Sequence, residues 1–140
     1  MPSVSVAAII TRMQDDELEI LLTKRADNMP TFPGAWVLPG GRVDEYERRE
    51  QAVIREVKEE TGVDFYPTFF GVYDEIFEER QIHAVVTVYE GPCDGEMVAD
   101  EYEVSEIGWF SLEAALKHDL DLGFEHRTIL TDYANHHASR

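Results

Sequence analysis

A single cysteine, Cys93, stands among 140 residues, so the chain cannot close an internal disulfide or build a zinc site on paired thiolates. A cytoplasmic setting is the economical expectation. Cationic residues are also scarce: 12 Lys and Arg face 29 Asp and Glu, a formal net charge of −17. Such a surface repels nucleic-acid backbones and anionic membranes, which argues against a non-specific polyanion binder. The N-terminal "MPSVSVAAII" lacks a cationic leader and breaks into polar "TRMQDDE" far short of the roughly 20 apolar residues of a membrane span. Neither signal peptide nor membrane anchor is expected.

What is present reads as one globular domain over residues 1–140, because hydrophobic residues at 44% are enough to build a core in a chain of this length. An acidic protein that handles phosphate needs local cations, so the charge is a first pointer to a metal ion, although ordinary solubility explains it equally. Apolar, β-branched runs at Val4 to Thr11 and Leu18 to Arg25, separated by "RMQDDE", predict a hairpin or neighbouring strands. Further strands are expected at Phe65 to Phe77, Ile82 to Glu90 and Ile107 to Phe110, with loops at Ala26 to Trp36 and Gly91 to Glu106. A helix is predicted from about Glu47 to Thr61 with Gly62 as its C-terminal cap. A brief helix follows from Leu112 to His118 behind a Ser111 cap, and a last amphipathic segment runs from Phe124 to His137. Asn135 to Arg140 reads as a frayed tail. Strands interrupted by the longest helix imply an α/β (α+β) fold, a mixed sheet with helices on both faces.

The segment "REVKEE", Arg55 to Glu60, is the unusual part of that helix. With Glu50 at 0° and 100° per residue, Val53, Ile54, Val57 and Thr61 form the inward stripe, and Glu56, Glu59 and Glu60 fall at about 240°, 180° and 280°, beside it. Arg55 and Lys58 point away from most of this acidic group. Glu56 and Glu60 make a like-charge i,i+4 pair costing roughly 0.2–0.5 kcal/mol in an isolated helix, and acids near a buried edge cost more. A divalent cation would remove that cost, and an all-oxygen donor set favours Mg²⁺ or Mn²⁺ over zinc. Glutamates reaching past the edge to water would also account for the pattern.

The wider context is decisive. From Gly41 the chain reads Gly, five residues, Glu47, seven residues, then Arg55-Glu56-Val57-Lys58-Glu59-Glu60-Thr61-Gly62-Val63. This resembles the Nudix box, G-x5-E-x7-R-E-U-x-E-E-x-G-U with U aliphatic, at every specified position. The order of surrounding elements resembles the Nudix hydrolase family too, which implies a Nudix-type α/β/α sandwich. It also implies a Mg²⁺-dependent pyrophosphohydrolase that cleaves the diphosphate linkage of a nucleoside diphosphate joined to another group X by attack of water on phosphorus. By that resemblance Glu56, Glu59 and Glu60 are metal ligands, joined by the Gly40 carbonyl. Arg55 pairs with Glu47, and Glu59 or Glu60 is the candidate general base. A carboxylate from outside the box completes the site, Glu103 being favoured over Glu101 and Glu106. Arg25 resembles an Arg that touches substrate phosphate in some members; a surface salt bridge is its other reading. One departure is Tyr46-Glu47-Arg48, where a small residue or Gly commonly precedes the Glu; the helix cap then falls to Asp44 or Glu47.

The substrate is less legible. Glu78-Glu79-Arg80-Gln81 carries neither the Pro nor the Tyr that marks two of the family's subgroups. "LGFEHRTIL" resembles a Phe-acid-His helix start in bacterial members labelled ADP-ribose pyrophosphatase-like, although His126 there also reads as a cap or surface residue. A sugar nucleotide such as ADP-ribose is therefore favoured, ahead of a nucleoside triphosphate as in the MutT type and of a non-catalytic nucleotide sensor. Phe32, Trp36, Tyr73 and Phe77 are candidates to stack on a base. Partners are small nucleotides, with neither nucleic-acid polymer nor membrane, and the resemblance admits a homodimer.

Overall fold

The computed structural model describes residues 1–138. Strand β1 (Ser3–Gln14) is its axis. Val6, Ala8 and Ile10 alternate with Ala7 and Ile9, and all five are buried, so this strand carries apolar side chains on both faces. It turns into β2 (Glu17–Arg25) through Asp15 and Asp16, whose φ values of 51° and 64° are the left-handed pair that a two-residue hairpin requires. The strands are longer than the sequence suggests because the turn uses only these two residues.

The sheet runs β3 (Trp36–Val37), β2, β1, β7 (Ile82–Gly91), β6 (Thr68–Phe77). β1 and β7 are parallel while the neighbouring pairs are antiparallel, which makes the sheet mixed as expected. β4 (Gly40–Arg42) also pairs with β1, and β9 (Val104–Ser111) with β2. A small ribbon joins β5 (Asp64–Phe65) to β8 (Cys93–Asp94).

Helices cover both faces. α1 (Arg49–Thr61) lays Ala52, Val53 and Val57 on Val6, Ala8, Ile10 and Leu21. On the other side α3 (His126–Ala138) lays Ile129, Leu130 and Tyr133 on Ala7, Ile9, Ile20 and Leu22, beside the short α2 (Leu112–Ala115). Gly62 closes α1 as expected, at φ 78° with its N–H on the Lys58 carbonyl at 2.9 Å. Ser111 caps α2, its Oγ accepting the Ala114 N–H at 3.0 Å. Among the described residues, no helix is long and apolar enough to cross a membrane.

Several expectations need correction. Phe65 to Phe77 is two strands, broken at Tyr66-Pro67 where Pro67 has no N–H to give a ladder. The expected loop at Gly91 to Glu106 contains β8 and the start of β9, and the brief helix stops at Ala115, short of His118. Asn135 to Ala138 form the last turn of α3, not a frayed tail; Ser139 and Arg140 lie outside the described residues. α1 starts at Arg49, and neither Asp44 nor Glu47 caps it. Arg48 is the boundary residue, its N–H held by Gln51 Oε1 at 3.2 Å. Tyr46 takes a left-handed φ of 66° with its side chain in solvent, so the loop keeps a glycine-like bend at some strain. Ile54 is 37% exposed, and Ala52 replaces it on the inward face.

Candidate active site

Two glycines bring backbone against carboxylates. Gly40 and Gly41 pair with Ala7 and Val6 of β1. A Cβ on Gly40 would fall 2.1 Å from the Val6 carbonyl oxygen, leaving no room for a side chain, and one on Gly41 would fall 2.5 Å from the Glu56 carboxylate and displace it. In that space the Gly40 N–H points at Glu60, 3.2 Å from Oε1 and 3.4 Å from Oε2.

Arg55 is the hub on the outer side of α1. Its Nε and Nη2 grip the Glu47 carboxylate at 2.8 and 2.9 Å, the fork expected between these residues. Nη1 reaches Glu56 at 2.9 Å and Glu59 at 3.3 Å, and Nη2 donates to the Arg42 carbonyl at 3.1 Å. The angular reading that sent Arg55 away from the acids fails because its long side chain folds back along the helix. Lys58 does turn away, to Asp64 at 3.2 Å. The bond to Arg55, with help from the Asp44 N–H, pulls the Glu47 carboxyl down to about 2. The same bond to Glu47 holds the guanidinium firmly charged.

Glu60 is buried, 6% exposed, and among the described residues no cation is bonded to it. Burial raises its carboxyl well above the ordinary range; the Gly40 N–H and the charge of Arg25 offset part of this, and the charges of Glu56 and Glu103 add to it. Glu56 is raised as well, mainly by burial and against the pull of Arg55. Glu59 is exposed. Glu60, Gly40, Gly41, Arg25 and Glu103 line one cleft, whereas Glu106 pairs with Lys24 at 3.5 Å and Glu101 does not reach the cleft. Among the described residues Arg25 has no salt-bridge partner, contrary to its alternative reading. Its guanidinium is fixed by the Thr31 carbonyl at 2.8 Å and Oγ1 at 2.9 Å, and burial lowers its pKa against the charges of Glu60 and Glu103.

The donor set fits a hard divalent cation: crowded carboxylates, one of them buried and, among the described residues, in no ion pair, beside a glycine backbone, with no thiolate or imidazole among them. Among the described residues, no three His, Cys, Asp or Glu side chains stand already gathered as an ion cage. Glu56 and Glu59 are tied to Arg55, so closing around an ion requires them to swing toward Glu60.

Two residues of the cleft escaped sequence reasoning as site residues. Glu75, inward on β6 and 4% exposed, accepts the Glu125 N–H at 3.1 Å. His126 is neither cap nor surface residue: it is 6% exposed and its Nδ1 accepts the Leu38 N–H at 2.9 Å. Burial and the charge of Arg25 lower its pKa to about 3, so the ring is neutral, with its proton on Nε2 facing Glu75 at 3.7 Å. An acid at an inward position of a strand was the available signal for Glu75.

Phe32 and Phe77 pack edge to face at 5.5 Å, and Phe124 joins Phe32 at 4.7 Å. Arg25 lies over the Phe124 ring at 5.1 Å, and Arg80 over Phe32 at 4.2 Å. Of the other stacking candidates, Trp36 packs on Phe110 and the core, and Tyr73 is turned to Asp132, its hydroxyl donating at 2.9 Å.

A family model described as NUDIX domain matches residues 1–133. The ADP-ribose pyrophosphatase of Methanocaldococcus jannaschii is 35% identical over 134 residues, 94% of this chain and 73% of that protein. The nucleoside triphosphatase NudI of Salmonella schwarzengrund is 30% identical over 122 residues, 79% of this chain and 85% of that protein. The crystal structure of the MutT NUDIX hydrolase from Burkholderia pseudomallei aligns with a TM-score of 0.79 at 34% identity, covering 94% of this chain and 97% of that one. The family match and the enzyme relatives define a hydrolase of phosphoanhydrides. The chain belongs to the Nudix family, as a Nudix pyrophosphohydrolase acting on small nucleotides.

Proposed function

We propose that this hydrolase uses Mg²⁺, with Mn²⁺ as a substitute, to split the diphosphate of a nucleoside diphosphate joined to X, with ADP-ribose its favoured substrate. The observation that carries the reading is the convergence of Glu60, Glu103, Arg25 and the Gly40-Gly41 backbone on one cleft, with Glu56 directly behind Gly41. Glu56, Glu59, Glu60, Glu103 and the Gly40 carbonyl would hold the ion. Bound there, it would neutralise phosphate charge and acidify the attacking water. Arg25 binds a phosphate oxygen. Arg55, locked by Glu47, holds Glu56 and Glu59 beside the cleft. Glu59 or Glu60 takes the proton from water as its oxygen bonds to phosphorus and the bridging oxygen leaves with the other phosphate.

ADP-ribose is favoured by the Phe124-Glu125-His126 helix start and by the archaeal ADP-ribose pyrophosphatase relative. Phe32, Phe77 and Phe124 offer apolar ring faces beside Arg25 for the base or sugar. The second reading, a triphosphate pyrophosphohydrolase of the MutT type, is kept open by the triphosphatase relative. The test is turnover with Mg²⁺ on sugar nucleotides, dinucleotides and triphosphates, comparing wild type with Glu59→Gln. Nucleoside monophosphate and phosphorylated X are expected, and the substitution should slow their release. If the two proteins behave alike on every compound, the reading fails.

A further inference from the structure

We infer that His126 is a positioning residue: its imidazole, packed beside Glu75, holds the Leu38–Gly41 loop so that Gly40 presents its N–H to Glu60. The inference rests on the reading of Gly40 and Glu60 as ion ligands.

The geometry is a relay between segments distant in sequence. Glu75 on β6 accepts the N–H of Glu125, which fixes the start of α3, and faces His126 Nε2 at 3.7 Å. On the other side of the ring Nδ1 accepts the Leu38 N–H at 2.9 Å across 88 residues of sequence. Two residues further on, the Gly40 N–H reaches Glu60.

Leu38 and Pro39 bridge β3 and β4 and belong to neither ladder. Pro39 offers no N–H, and its carbonyl is taken by the Ala8 N–H at 2.8 Å. The Leu38 N–H belongs to a residue only 2% exposed, and without Nδ1 it would be buried with no acceptor. Pairing with β1 fixes Gly40 from one side; His126 fixes the approach to it from the other. The backbone leading into α3 is tied to the same stretch, with Trp36 N–H on the Asp121 carbonyl at 2.8 Å and Gly123 N–H on the Trp36 carbonyl at 3.0 Å. His126 and Glu75 also line the cleft, so the relay ends at the site and not in remote core. Supporting groups of this kind are worth about 10–100-fold in metal affinity.

The test compares His126→Leu, His126→Gln and His126→Asn. Asn carries an acceptor at the position of Nδ1, whereas Gln carries one toward Nε2. Calorimetry with Mg²⁺ should show binding about 10–100-fold weaker in the Leu and Gln variants and near wild type in the Asn variant. Amide exchange in the metal-free protein, followed by NMR, should show Leu38 and Gly40 protected in wild type and His126→Asn and unprotected in the other two. Should His126→Leu fail to fold, the Gln and Asn pair decides. Unchanged Mg²⁺ affinity in His126→Gln, or an Asn variant no better than Gln, overturns the inference. If wild type binds no Mg²⁺, the exchange pattern decides alone, and equal protection in all variants overturns it. Failure of the proposed function looks different: Mg²⁺ affinity follows the predicted order while no nucleotide is cleaved.

Discussion

Replacing Glu60 with Gln should stabilise the metal-free protein while removing its response to Mg²⁺. Glu60 is 6% exposed and its hydrogen bond is to a neutral amide at 3.2 Å, so ionisation leaves a buried charge that faces Glu56 and Glu103 and is only partly offset by Arg25. Gln keeps the acceptor for the Gly40 N–H and offers an amide donor toward those two carboxylates. Removing a poorly compensated buried charge is worth about 1–3 kcal/mol, and at roughly 3–4 °C per kcal/mol for a chain of this size the melting temperature should rise by about 3–12 °C. The sign with pH follows from the direction of the shift. A carboxyl raised in the folded state destabilises that state once pH exceeds the unfolded carboxyl's value. The advantage of Glu60→Gln should therefore grow as pH rises through the folded value and vanish toward acid. Thermal unfolding in EDTA, then with Mg²⁺ at a hundred times its dissociation constant, measures both parts. Wild type should gain about 2.7 kcal/mol from the ion, and the variant little. A destabilised variant in EDTA at alkaline pH, or an equal Mg²⁺ gain in both proteins, would refute the reasoning.

Other perturbations separate neighbouring roles. Gly41→Ala should weaken Mg²⁺ binding with little loss of melting temperature, because its Cβ meets the movable Glu56 side chain; Gly40→Ala should unfold the protein at lower temperature, because its Cβ meets the Val6 backbone. Calorimetry and thermal scans of the two variants check this. Glu47, drawn down to about 2 by Arg55, contributes stability above the unfolded value near 4.5, and this is lost as pH falls toward about 2. Acid titration of Glu47→Gln should accordingly lack the part of the wild-type slope in that window. Arg25→Gln should raise KM by about 10–100-fold with a smaller effect on kcat, a split read from steady-state kinetics. Of Glu101→Gln, Glu103→Gln and Glu106→Gln, only the second should weaken Mg²⁺ binding.

Much of the site was legible because its parts are close in sequence. Helical spacing alone places Glu56 and Glu60 beside the face that meets the sheet, and Gly41 and Glu47 precede them at a fixed interval, so local rules carry that corner. Arg55 was misjudged because a helical wheel gives the direction of Cβ, while the guanidinium lies several bonds further out and goes where the carboxylates are. Ile54 and Ala52 exchanged roles for a related reason: the inward face is set by where the sheet lies, which the helix's own period does not know. Glu75 and His126 were missed as a pair because 51 positions separate them and only the packing of α3 against β6 brings them together; the Phe-acid-His string gave a family likeness without its geometry. The same limit applies to the aromatic residues, where Phe32 and Phe77 meet across the fold while Trp36 and Tyr73 go to other neighbours.

The most direct measurement is the product pattern when purified protein and Mg²⁺ are given ADP-ribose and nucleoside triphosphates in competition. AMP with ribose 5-phosphate should appear first, and Glu56→Gln should abolish both. Preferential release of pyrophosphate from the triphosphates, or product formation that survives Glu56→Gln, would contradict the assignment.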